Sequence, residues 1–322
     1  EVILSLTPLH FLVEKEALGA CYRLIQSGQW IPKSIGHRRI KGRLHDYCDL
    51  YHFPSDRSNP LYNFEQLFQV TLPTRENWKN NEVTWPESSI VCYTDGSRVE
   101  DIGRSGAGYH INNQMGEETL PLGSYATVFQ AEIFAILSCL KSQVVSNSQK
   151  QDIVICSDSQ AALKALIAPK ATSKLVIQCK TELNKVAQLN SVHLFWIPGH
   201  TGLEGNEKAD LLAKEASNSL FWEPEPAFGI SYATIKRNLR DWAQSKLHVN
   251  WIFTGNCRQA KELISGPNYN RTKQFLRLKR KDLHIIVGLL TGHWFNKHLH
   301  RMGVVENPLC SFCGVANETS AH

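Results

Sequence analysis

The sequence predicts a mixed α/β fold: a five-stranded mixed sheet flanked by helices, with a helical C-terminal extension. Three observations carry that expectation. Between Ser89 and Ala216 the apolar pattern reads three strands, then helix, strand, helix, helix, strand, helix, within roughly 130 residues. The run Asp152 to Cys156 is short and nearly all apolar, as a strand buried between helix layers requires. Beyond Pro224 and Pro226 in W-E-P-E-P the pattern turns helical and basic.

Residues 1–87 read as a connector from an upstream region, partly helical. Leu12, Glu16, Ala20 and Leu24 follow a helical spacing with Pro8 near its start. A basic run (His37, Arg38, Arg39, Lys41, Arg43) then gives way to an irregular stretch ending near Trp85-Pro86. Residues 88–220 hold the sheet. Its strands are Ile90 to Thr94, Gly106 to Asn112, a short one around Glu118 to Leu122 after the turn Asn-Asn-Gln-Met-Gly, Asp152 to Cys156, and Val192 to Ile197. Its helices are Ala131 to Val144, with the stripe Ile133, Leu137, Leu140, Val144; Ser159 to Ile167, stopped by Pro169; Lys174 to Leu189; and one from Asn206 whose apolar face is Ala209, Leu212, Ala213, Ala216. Residues 221–322 form a basic helical tail. Ile235, Leu239, Trp242 and Lys246 share one face, and Phe275, Leu278, Asp282, Ile285 and Leu289 outline a helix closed by Gly292. A short helix over Trp294 to Arg301 precedes a cysteine pair.

The net charge of +5 over 322 residues is unevenly spread. From Ser231 to Arg301 there are 14 Lys or Arg against Asp241, Glu262 and Asp282. A polyanion partner and a merely solvated basic surface both fit such a segment. Four of the nine cysteines, Cys92, Cys139, Cys156 and Cys179, fall inside apolar patterns, and only Cys310 and Cys313 form a close pair. That usage favours a reducing, intracellular setting over a disulfide scaffold, without separating nucleus from cytoplasm. No apolar run approaches a membrane span and no signal peptide is visible, so no membrane partner is expected. The first residue is Glu1 and the first methionine Met115, which reads as a fragment of a longer translation product.

Four acids occupy recurrent settings: Asp95 in Y-T-D-G-S, Glu132 in Q-A-E-I-F, Asp158 in C-S-D-S-Q and Asp210 in G-N-E-K-A-D. Singly, each has a plain explanation as a turn residue, a first-turn dipole partner, a helix cap or a solvated helix residue. If the Asp95 and Asp158 strands are adjacent and parallel, both carboxylates emerge at one sheet edge. Carboxylates crowded together repel until a hard divalent cation neutralises them. Gly96 allows close approach by a ligand and Ser97 supplies a small hydroxyl.

The series Y-T-D-G-S, A-E, S-D-S-Q and W-I-P-G-H-T-G-L-E-G-N-E-K-A-D resembles the type 1 ribonuclease H domain. It is most similar to the version in non-LTR retrotransposon polyproteins, placed after a reverse transcriptase. The resemblance covers about residues 88–220 and implies cleavage of the RNA strand of RNA–DNA hybrids with two Mg²⁺ ions, for which Mn²⁺ can substitute. It implies that Asp95 bridges both ions and Asp210 completes the one that activates water. Glu132 and Asp158 then hold the ion beside the leaving 3′-oxygen. His200 matches the family's mobile histidine, an auxiliary to proton transfer or product release, and Asn206 matches a substrate contact besides offering a helix cap. Gly96, Ser97, Gln160 and Glu132 are candidates for reading the 2′-hydroxyl. Only A-P-K-A-T-S-K stands where many bacterial relatives insert a basic handle. The basic tail, with Lys279, Arg280 and Lys281 toward phosphates, is a candidate substitute.

Cys310-Ser-Phe-Cys313 and His322 have tolerable spacing for three zinc ligands. They resemble the Cys/His tail that follows ribonuclease H in those elements, where one further cysteine occurs, so weak or absent zinc is expected. Two functions follow from the sequence: an active hybrid endoribonuclease, or a catalytically weak nucleic-acid-binding remnant of a mobile-element polyprotein.

Overall fold

The computed structural model describes residues 2–30, 39–44, 49–112, 116–199 and 201–322. His37, Arg38, the turn at 113–115 and His200 lie outside the described residues. Two compact units are present, Cys21–Lys236 and Glu1–Ala20 with Arg237–His322. The division falls inside helix α1 (Leu9–Gln26) and helix α9 (Tyr232–Phe253).

The first unit contains a six-stranded sheet, one strand more than the sequence predicts. Strands β3 (Ile90–Val99), β4 (Arg104–Ile111) and β5 (Gly116–Pro121) form an antiparallel meander. On the other side of β3 lie β6 (Asp152–Ser157), β8 (Ser191–Trp196) and β2 (Gln69–Thr71), all parallel. The added strand β2 comes from the stretch read as irregular. It follows β1 (Arg57–Tyr62), which pairs with β7 (Lys170–Ser173) inside the supposed plain connector A-P-K-A-T-S-K. Residues 39–44 form helix α2, and α3 (Arg75–Lys79) begins with a Thr74–Asn77 capping box.

Alternation along the strands gives each sheet face its own core. Cys92, Ile153, Ile155, Val192 and Leu194 point toward α4 (Val128–Lys141), α6 (Gln160–Ile167) and α7 (Lys174–Ala187). A one-turn helix, α5 (Gln143–Ser146), follows α4. The opposite parity, Val91, Val154, Cys156 and Phe195, packs with Trp78, Trp85 and Leu203. Helix α8 (Glu204–Asn218) lies against β3, β4 and β5. Its approach depends on Gly106 and Gly108, where a Cβ would meet the backbone of Ser217 and Ala213. The strand motif G-A-G therefore sets how closely the helix carrying Asp210 sits on the sheet.

The second unit is helical. Val2, Leu247, Trp251, Ala260 and Ile264 form its core, with α10 (Arg258–Leu263) contributing Ala260. The single helix expected over Phe275 to Leu289 is instead two, α11 (Tyr269–Phe275) and α12 (Arg280–Thr291). Lys279 is the N-cap of α12, so Arg277 and Lys279 lie in the break while Arg280 and Lys281 open the helix. Three cations at a helix N-terminus oppose its dipole, with Asp282 the one acid in that turn. Gly292 closes α12 in the left-handed conformation at φ 71°, as expected. Helix α13 (Asn296–Arg301) follows. Among the described residues no helix is long and apolar enough to cross a membrane.

Candidate active site

Strand β3 does not end at Thr94; it runs to Val99 against β4. Its parallel pairing with β6, however, stops at Thr94 opposite Ser157. Asp95 and Asp158 are the next residues on adjacent parallel strands, so both leave the ladder at the same edge. Asp158 is further fixed by Trp196, whose Nε1 donates to the Asp158 carbonyl at 2.9 Å. Thr127, five residues before Glu132, caps α4 and exchanges bonds with Gln130.

Gly96 brings that helix to the strand. A Cβ there would collide with the backbone of Ala131 and Glu132, so the space expected for a ligand is filled by α4 itself. One carboxylate oxygen each from Asp95, Glu132 and Asp158 lies within 4.8 Å of the others. Asp95 and Glu132 are 7% and 6% exposed, a depth at which ionised acids need compensation. The Asp95 carboxyl is pushed up to about 7, first by burial and then by Asp158 and Asp210, against the opposing Gly96 amide and Lys214. Burial, then Asp95 and Asp158, raise Glu132 well above the usual range. Glu132 Oε2 is buried without a hydrogen-bond partner. An orphaned buried oxygen among crowded carboxylates is the donor set a hard, oxygen-seeking divalent cation fits.

Asp210 stands apart from that triad. It influences Asp95 electrostatically, but its Oδ2 accepts a 2.6 Å bond from Lys214 Nζ, one turn along α8. The i,i+4 spacing of Asp210 and Lys214 is itself a sequence signal for this pair. Asn206 does not cap α8. Leu203 is the N-cap, and Asn206 is buried in the first turn with Oδ1 unpartnered. Ser97 is half-buried on β3, and Gln160 is exposed at the start of α6, bonded to Lys164 at 3.0 Å.

Residues 87–218 match the RNase H family. This segment is an RNase H domain. Two curated relatives, the ribonuclease H of Tropheryma whipplei strain Twist and that of strain TW08/27, are each 27% identical over 146 residues. The match covers 41% of this chain and 86% of each relative. The RNase H domain contains all four predicted carboxylates.

Outside it, Cys310, Cys313 and His322 also converge, with ligand atoms within 4.8 Å of one another. Cys313 Sγ lies 3.2 Å from His322 Nε2. Amides of Ala316 and Val315 are the main causes that bring the exposed Cys313 thiol down to about 7, with His322 and Cys310 adding to them. Lys279, Arg280 and Lys281 are exposed and belong to neither cluster.

Proposed function

We propose that the protein hydrolyses the RNA strand of RNA–DNA hybrids. The observation that carries this reading is the buried Asp95–Glu132–Asp158 triad with its orphaned Glu132 oxygen, inside an RNase H domain. Asp95, Glu132, Asp158 and Asp210 are the residues that would hold two magnesium ions. Bound there, magnesium supplies positive charge where negative charge builds on phosphate oxygens during an in-line displacement.

The water oxygen bonds to phosphorus as the bond to the 3′-oxygen breaks, leaving 5′-phosphate and 3′-hydroxyl ends. The chain's own residues hold and orient the site. Trp196 fixes the Asp158 backbone, and Gly96 seats Glu132 beside Asp95. Ser97, Gln160, Asn206 and the Gly96 backbone are assigned to the substrate, with the 2′-hydroxyl as the feature that separates RNA from DNA. Lys279, Arg280 and Lys281 are assigned to phosphates, since cations gathered at the start of α12 are relieved by a polyanion.

His200 keeps the auxiliary role its motif implies. Placement after a reverse transcriptase rests on the resemblance of the sequence motifs, and hybrid made by reverse transcription would then be the natural substrate. Cys310, Cys313 and His322 would offer zinc three ligands, one short of a usual structural site.

Digestion of labelled hybrid in Mg²⁺ by the wild type and by Asp95→Asn tests the reading. Cleavage by the wild type alone is expected. Equal cleavage by both removes the assigned site, and none by either favours the binding remnant.

A further inference from the structure

Four residues that flank the RNase H domain in sequence meet around one aromatic ring. Arg23 Cζ, Arg57 Cζ and Lys236 Nζ lie 5.5, 5.1 and 5.0 Å from the centre of the Tyr232 ring. Arg23 Nη1 also donates to the Tyr232 hydroxyl, and the Tyr22 ring stacks on Tyr232 at 6.3 Å.

Backbone pairing builds this arrangement. Ile230 N–H donates to Pro54 O at 2.7 Å, and Asp56 N–H donates to Ile230 O at 3.0 Å. Gly229 lies so close to Ser55 and Asp56 that a side chain there would strike their backbone. The joined segments are fastened to the RNase H domain at two points. Asp56 accepts from the Leu175 amide at 3.0 Å and the Ser173 hydroxyl at 2.7 Å, at the start of α7. Gln130 Nε2 donates to Gly229 O at 2.9 Å, two residues before Glu132 on α4.

The charge at this junction is unbalanced. Asp56, beside Arg57 in sequence, commits both carboxylate oxygens to α7. Among the described residues, Arg23, Arg57 and Lys236 form no ion pair. An aromatic face attracts each cation, at roughly 0.5–1 kcal/mol where exposed, but leaves their mutual repulsion in place. A phosphodiester relieves that repulsion, and guanidinium forks match its oxygens.

We propose that Arg23, Arg57 and Lys236, organised on Tyr232, bind a backbone phosphate of the nucleic-acid substrate. The proposal rests on the hybrid-cleavage reading for the ligand's identity, and it places a substrate contact outside residues 87–218. Through Gly229, Gln130 anchors the segment leading to Tyr232 on the helix that carries Glu132.

The test measures fluorescence anisotropy of labelled RNA–DNA hybrid with the full chain carrying Asp95→Asn, across about 50 to about 300 mM salt. Adding Arg57→Gln or Lys236→Gln should each weaken binding about three- to tenfold and flatten the log affinity against log salt slope by about one. Tyr232→Phe, which keeps the ring, should retain the slope. Unchanged affinity and slope in both charge variants overturn the proposal, as does a fall in thermal midpoint with the slope intact. Failure of the wild type to cleave hybrid while these slope changes persist sinks the activity reading and leaves the phosphate site standing.

Discussion

Lys214 Nζ lies 2.6 Å from Asp210 Oδ2, so the Asp210 carboxylate is paired with an ammonium from its own helix. Asp210 and then Asp95 hold Lys214 in its charged form, and Lys214 in turn lowers the Asp95 carboxyl. The ammonium therefore partly neutralises acids that a divalent cation would neutralise in the proposed site, where the two cations would compete for Asp210. Lys214→Met should tighten Mn²⁺ binding by about two- to fivefold, the size of a partly exposed ion pair. Calorimetric titration measures this directly. Weaker binding by the variant would mean instead that Lys214 orients Asp210 for the metal.

The Asp95 carboxyl sets a pH dependence for the metal-free protein. Its value is raised from 3.8 to about 7, so the folded state holds a proton that the unfolded chain releases earlier. Stability from this group is complete below about 4, declines as pH rises, and is gone above about 7. Asp95→Asn removes the titration. At pH 8 without metal, the variant should be more stable than the wild type by about 2 kcal/mol. Magnesium should reverse the order by binding only the folded wild-type site. Denaturant midpoints with and without EDTA check both statements; a metal-free wild type that gains on the variant between pH 4 and 7 contradicts them.

Gly108 controls how α8 meets the sheet. A Cβ there would lie 2.6 Å from Ala213 N and 2.7 Å from Leu212 Cβ. Neither is the loose end of a side chain, so the helix must move. Gly108→Ala should cost about 1–3 kcal/mol of stability and reduce hybrid cleavage, because Asp210 shifts with its helix. Thermal denaturation and turnover on one preparation measure the pair. Full activity with a lowered midpoint would separate helix position from catalysis.

Much of this was legible in the sequence because it is local. The nearly all-apolar run Asp152 to Cys156 marked a buried strand, and helical spacing marked α4, α6, α7 and α8. The edge shared by Asp95 and Asp158 followed from two strands being parallel neighbours. What escaped depends on distant partners. Gln69–Thr71 has three residues and becomes a strand only because β8 presents an open parallel edge. β1 contains Pro60 and is mostly exposed, so its pattern shows no buried face. The break before Arg280 carries no Gly or Pro to announce it. Asn206 looked like a cap because its residue type suits one, yet the chain enters α8 three residues earlier at Leu203.

The Cys310–Cys313–His322 cluster offers a test that needs no nucleic acid. The exposed Cys313 thiol is brought down to about 7 by the Ala316 and Val315 amides, with His322 and Cys310 adding to them. At pH 7 a substantial fraction is thiolate, the form that alkylates. Iodoacetamide should label Cys313 before the buried Cys310, and mass spectrometry of the labelled peptides reads the order. Because the amides contribute most, His322→Ala should slow labelling only about two- to threefold. Zinc should protect Cys313 in the wild type and protect it less in His322→Ala, since loss of one ligand leaves two. Equal zinc protection in both proteins removes His322 from the ligand set, and no protection in either removes zinc from the cluster.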